Sequence, residues 1–171
     1  MRLLHSIHSF DVRAFDWCMA RRHRQLLTGV GRLISKTADG PLYVLLVLFL
    51  WWYGFNGVAM ALVVAFAAER TLYFVMKNSF KRNRPQQALP GFTSFITPSD
   101  QFSFPSGHTS AAFLVAAYLA LLAPQFWLAF YLWSCLVGVS RIFLGVHFPT
   151  DVLMGSILGT STALITLVLM V

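Results

Sequence analysis

The chain has 171 residues, of which 57% are hydrophobic and 11% charged, and it carries a net charge of +7. Charged residues make up about 25% of an ordinary soluble domain, and several apolar runs here approach bilayer length, which excludes a soluble globular fold in favour of a multi-span membrane protein. In such a chain the basic balance points to anionic lipid or an anionic substrate and away from nucleic acid.

Residues 1–37 form a basic arm, in which Leu, Ile, Phe and Trp alternate with Arg and His. The arm reads either as one or two amphipathic helices lying in the headgroup region or as a solvated face packed on the bundle. Seven Arg and Lys fall within 1–36 with no continuous apolar core, so no cleavable signal peptide is expected. Cys18 and Cys135 have neither CxxC nor metal-ligand spacing, and Cys135, mid-way along an apolar run, is expected to be a small buried hydrophobe. The first span is read at 40–55, with Pro41 suited to an early helical position and Trp51, Trp52 and Tyr53 to an interfacial belt. A second span follows from about Val58 to Phe80, and 81–104 is a polar, Pro-containing loop. The third runs from Ser106 to Ala123, the fourth from Phe126 to Leu144 and the fifth from Thr150 to Val171. The expected fold class is all-α: a polytopic bundle of about five transmembrane helices over 38–171, preceded by N-terminal interfacial helices.

Five spans alternate sides of the membrane. The loop 81–104 and the junction 145–150 therefore share one face, and nearly every polar residue lies there. Three stretches converge on it: "KNSFKRNRP" with Lys77 and Arg84, "FPSGHTS" with Ser106, Gly107 and His108, and "SRIFLGVHFPTD" with Arg141, His147 and Asp151. Taken singly they have ordinary readings. Lys77, Lys81 and Arg82 can snorkel at a span end, and Ser106 can be a helix N-cap.

Together they select a polyanion. Arg84 and Arg141 can grip phosphate oxygens bidentately, and Lys77 adds a point charge. Ser106-Gly107-His108 opens a helix whose free N–H groups favour phosphate. Neither histidine has further metal-ligand partners at recognisable spacing, so no metal or other cofactor is expected. One histidine as nucleophile and one as general acid suffice for phosphoryl transfer. Asp151, four residues after His147, can face it across a helical turn and fix its tautomer. Arg70 lies seven residues before Lys77 and is expected to face the bundle interior, either in a structural ion pair with adjacent Glu69 or linked to the phosphate pocket. An unpaired charge near the bilayer centre costs roughly 2.5–3.5 kcal/mol on insertion scales.

These residues resemble the type 2 phosphatidic acid phosphatase superfamily, whose pattern is K-x6-RP, then PSGH, then SR-x5-H-x3-D. Lys77 through Arg84-Pro85, Pro105 through His108, and Ser140-Arg141 through His147 to Asp151 match it without a gap. The resemblance covers about residues 38–171. It implies a metal-independent membrane phosphatase of lipid phosphates or diphosphates. His147 would be the nucleophile that forms a phosphohistidine, Asp151 its orienting acid and His108 the proton donor to the leaving group. Lys77, Arg84, Ser106, Gly107 and Arg141 would hold the phosphoryl. Undecaprenyl diphosphate and phosphatidylglycerophosphate are the leading substrates. A lipid phosphotransferase of the same fold and a non-enzymatic lipid-binding or transport protein are the alternatives. The commonest bacterial pattern has six spans, and here the basic arm stands in place of the first. The resemblance further implies the bacterial inner membrane with the site on its extracytoplasmic side, although the basic arm on the same face opposes this under the positive-inside rule.

Overall fold

The computed structural model describes residues 2–170, with side chains described from residue 6. Its regular elements among these residues are all helices: α1 (Arg2–Met19), α2 (Arg24–Lys36), α3 (Gly40–Trp52), α4 (Asn56–Phe80), the short α5 (Pro85–Ala88), α6 (Gly107–Leu122), α7 (Trp127–Phe143) and α8 (Pro149–Met170). Four stretches are long and apolar enough to cross a membrane: Arg24–Trp52, Asn56–Ala88, Pro124–Phe143 and Pro149–Met170. The apolar α6, 16 residues long, is shorter than these four.

The first of these stretches corrects the expected start of span one. It begins at Arg24, because α2 continues into α3 after a break at 37–39. The inward face of α2 is small and polar. Thr28, Gly31 and Ser35 are buried, with Gly31 against Ser140 of α7, while Leu26, Val30 and Leu33 point outward. Small residues let two backbones approach closely in lipid, and the outward leucines match the acyl chains. Helix α1 also packs on protein. Asp11 and Phe15, four residues apart and so on one face, are both fully buried. The expected burial of Cys135 is likewise corrected. It is exposed on α7 beside Leu132, Leu136 and Val139, on the face left for lipid.

Helices α6 and α8 form the closest pair of the bundle. A Cβ at Gly155 would lie 2.6 Å from the Ser106 carbonyl oxygen, and one at Gly159 only 2.0 Å from that of Ser110. These two glycines, four residues apart, form one flat stripe on α8. Their contact brings the start of α6 against the start of α8. It thereby sets His108 and His147 around one space.

Candidate active site

A cavity of about 620 Å³ opens at this end of the bundle. Arg84, Ser99, Asp100, Gly107, His108, Arg141 and His147 form its polar end. Val44, Val47, Val63, Phe66 and Phe74 form its apolar end, between α3 and α4. Val44, Val63 and Phe74 are also exposed on the outer surface, so the apolar end opens toward lipid.

His147 is presented by a turn that needs glycine. Gly145 has a φ of +76°, and a Cβ there would meet the Phe92 ring at 2.6 Å. The ring of His147 is almost wholly buried, with Nε2 3.5 Å from Arg84 Nη1. Its Nδ1 lies 3.7 Å from Asp151 Oδ2, an ion-pair distance rather than the expected hydrogen bond. Burial, followed by the charges of Arg84 and Arg141, holds the imidazole well below its usual pKa, so it is neutral at pH 7 with a free lone pair. Asp151 sits in the first turn of α8, where a carboxylate suits the helix dipole. It accepts from Phe148 N at 2.8 Å and from Arg82 Nη1 at 2.7 Å. Arg82 also reaches Asp11 of α1, which accepts from the Thr150 amide at 3.0 Å. Arg82 is thus no snorkelling anchor. It joins α1, the loop and the catalytic turn.

His108, in the first turn of α6, places Nε2 3.1 Å from Asp39 Oδ1 at the break between α2 and α3. Arg141 donates from Nη1 to Ser35 Oγ of α2 at 2.5 Å, and its Nε is buried without a partner. Arg84 is anchored by Val146 O at 2.7 Å and by Asp100 O at 3.1 Å. Its Nη2 also donates to Asp100 Oδ1. Lys77 donates to the same oxygen at 2.7 Å and to the Tyr73 hydroxyl, which in turn donates to Asp100 Oδ2 at 2.6 Å. Burial alone would raise the Asp100 pKa, but hydrogen bonds from Lys77 and Tyr73 and the charges of Lys77 and Arg84 hold it at about 2.

The expected residues therefore divide. Arg84, Gly107, His108, Arg141 and His147 line the cavity. Lys77 lies behind Tyr73 and Asp100, and Ser106 turns its hydroxyl to Thr109 Oγ1 at 2.8 Å. Asp151 stands behind His147. Asp39, Asp100, Tyr73, Ser35 and Asp11 were not assigned a role by sequence reasoning. Asp39 alone carried a signal, since an acid directly before Gly-Pro at a helix start marks an irregular, polar position.

A family model described as PAP2 superfamily matches residues 58–171. The chain belongs to this superfamily. It is 30% identical over 146 residues to phosphatidylglycerophosphatase B of Bacillus subtilis, covering 79% of this chain and 69% of that one. It is 32% identical over 130 residues to a lipid A 4'-phosphatase of Bacteroides thetaiotaomicron, covering 69% of this chain and 56% of that protein. The crystal structure of the transmembrane PAP2 type phosphatidylglycerolphosphate phosphatase of Bacillus subtilis superposes with a TM-score of 0.80 at 26% identity, covering 96% of this chain and 86% of that one. The class expected from the sequence, an integral-membrane phosphatase of lipid phosphates, is the class of these relatives.

Proposed function

We propose that this chain hydrolyses the terminal phosphate of a membrane lipid through a phosphohistidine on His147. One observation carries the reading. Among the described residues, the buried side-chain polar atoms without a partner are Tyr43 Oη, Arg141 Nε and His147 Nδ1, and all three residues line this one cavity. Nδ1 of His147 is turned to Asp151 and leaves Nε2 for the cavity, so the orphans that mark a polar ligand there are Arg141 Nε and Tyr43 Oη, since buried polar groups are nearly always satisfied.

The His147 Nε2 lone pair attacks phosphorus while the P–O bond to the lipid breaks. The leaving oxygen takes that electron pair and a proton from His108, whose ring Asp39 orients and whose cation the charge of the bound phosphate stabilises. Arg84, Arg141 and the amides at the start of α6 stabilise the charge spread over the phosphoryl oxygens. Water then attacks the phosphohistidine, its proton passes to the now neutral His108, and the P–N electrons return to His147. The arginines supply by covalent structure the positive charge that a metal supplies elsewhere. The acids near the site are already committed: Asp100 to Lys77 and Arg84, Asp151 and Asp11 to Arg82, and Asp39 to His108.

Phosphate release should be measured across a panel of purified lipid phosphates. Turnover of at least one, unchanged in EDTA and lowered about a thousandfold or more by His147→Gln, is the expected result. Activity lost in EDTA and restored only by magnesium would replace this mechanism with a metal-dependent one.

We further place the protein in a bacterial inner membrane with the cavity on the extracytoplasmic side, as the family resemblance implies. The basic arm opposes this, but the positive-inside rule counts short flanking loops, and α1 is packed on protein through Asp11 and Phe15. With Cys18 and Cys135 replaced, Ser99→Cys should react with an impermeant maleimide in intact spheroplasts. Reaction only after lysis would reverse the orientation.

A further inference from the structure

Arg70 and Tyr43 are not needed for the transfer just described, yet both line the cavity between its phosphate end and its apolar end. Glu69, fully buried, holds Arg70 from behind through hydrogen bonds of 2.5 Å from Nε and 2.6 Å from Nη2. Nη2 also reaches Ser110 Oγ at 3.2 Å, and the guanidinium lies 4.3 Å from the centre of the Tyr73 ring. Nη1 makes no hydrogen bond among the described residues, and with the Arg70 side chain 38% exposed this edge is open to water or a ligand. Tyr43 is 8% exposed and its hydroxyl has no partner. A pure structural ion pair explains Glu69 and the bound edge of Arg70. It explains neither the free edge nor a buried phenol hydroxyl left unsatisfied beside it, at a cost of roughly 1–3 kcal/mol.

We propose that Arg70 and Tyr43 form a second anion subsite, which takes a phosphate carried by the leaving group. The position follows from the direction of the reaction. The transferred phosphoryl lies between His147 and Arg84, the leaving oxygen lies toward His108, and the lipid tail runs to Val44, Val47 and Phe66. The leaving group's first polar atoms must therefore pass Arg70 and Tyr43. The substrate class is thus a lipid with two phosphates, in preference to a monophosphate with a neutral leaving group. With a lipid diphosphate, a P–N bond forms at the terminal phosphorus and the P–O–P anhydride breaks. The electron pair stays on the bridging oxygen of the departing lipid monophosphate, which takes the His108 proton, and Arg70 and Tyr43 hold the charge on that phosphate's other oxygens. With a glycerophosphoryl lipid, the diester phosphate occupies the same subsite. This assignment rests on the phosphatase reading above.

The test compares substrates that differ by one phosphate or one glycerol phosphate, in detergent micelles with the full chain. Farnesyl diphosphate against farnesyl phosphate, and phosphatidylglycerophosphate against phosphatidic acid, each give a ratio of kcat/KM. Arg70→Gln is expected to lower the ratio about tenfold or more, and Tyr43→Phe about threefold. A selectivity ratio is insensitive to partial loss of folded enzyme. Tyr43→Phe removes a single oxygen and carries the test if Arg70→Gln does not fold. A shift in the farnesyl pair alone assigns the subsite to diphosphates, and a shift in the glycerolipid pair alone assigns it to diester phosphates. Ratios that hold within twofold in both pairs, while both lipids of a pair are hydrolysed, overturn the subsite and leave the phosphatase reading standing. If wild-type enzyme releases phosphate from none of the four, the phosphatase reading fails and the subsite falls with it.

Discussion

Asp100 decides how the phosphate clamp behaves when empty. Its carboxylate accepts from Lys77, Arg84 and Tyr73 together, so it occupies donors that an incoming phosphoryl would claim. A bound lipid phosphate must compete with an internal anion of lower charge. Asp100→Asn is therefore expected to tighten inhibition by orthovanadate, a phosphate mimic, severalfold and to lower KM. Weaker vanadate binding in the variant would show that Asp100 positions the clamp rather than competing for it. The sign of the pH effect follows from the depressed pKa. With a folded value of about 2 against an ordinary 3.8, the stabilisation from this carboxylate is complete above the ordinary value and is lost as pH falls through the folded one. Its charge is thus constant from pH 5 to 8, and the ratio of variant to wild-type vanadate affinity should not move across that range. The sequence showed the cations because three motifs mark them by spacing. It did not show Asp100, because nothing local ties a loop acid to a lysine 23 residues away.

Two elements set the site, and they differ in how far the sequence disclosed them. The contact of α6 with α8 depends on Gly155 and Gly159, where a side chain has no room. Gly159→Val is expected to overpack this contact by about 2 kcal/mol or more, which lowers the Tm in detergent by roughly 5 °C or more and reduces activity with it. An unchanged Tm would mean that the two helices separate without cost and that their contact does not fix the histidines. The arm was the least legible element. Its mixture of Arg, His and large apolar residues suits an interfacial helix as well as a packed one. What settles it is tertiary. Asp11 of α1 meets Arg82 and Thr150, and Ser35 of α2 meets Arg141, pairings more than 70 residues apart that leave no local period. The start of span one was misplaced for a related reason. The inward face of α2 is the polar one, and a reading that sends polar faces to water inverts it.

At the scale of the whole molecule, the chain separates its chemistry from its solvent. The outward faces of α3, α4, α7 and α8 are apolar, and five of the six acids pair with cations or His108 in or beside the site. This economy made the fold class and the shared face of the motifs readable from the sequence, since ionisable groups in a membrane chain are placed where they act. The central claim is that His147 carries the phosphoryl group. Its most direct measurement is a rapid quench of the enzyme with a lipid labelled in its terminal phosphate with ³²P, followed by peptide mapping. Base-stable, acid-labile label is expected on the peptide containing His147, formed within the first turnover and absent from His147→Gln. Labelled inorganic phosphate released at the full wild-type rate, with no label on that peptide at any quench time and continued turnover by His147→Gln, would contradict it.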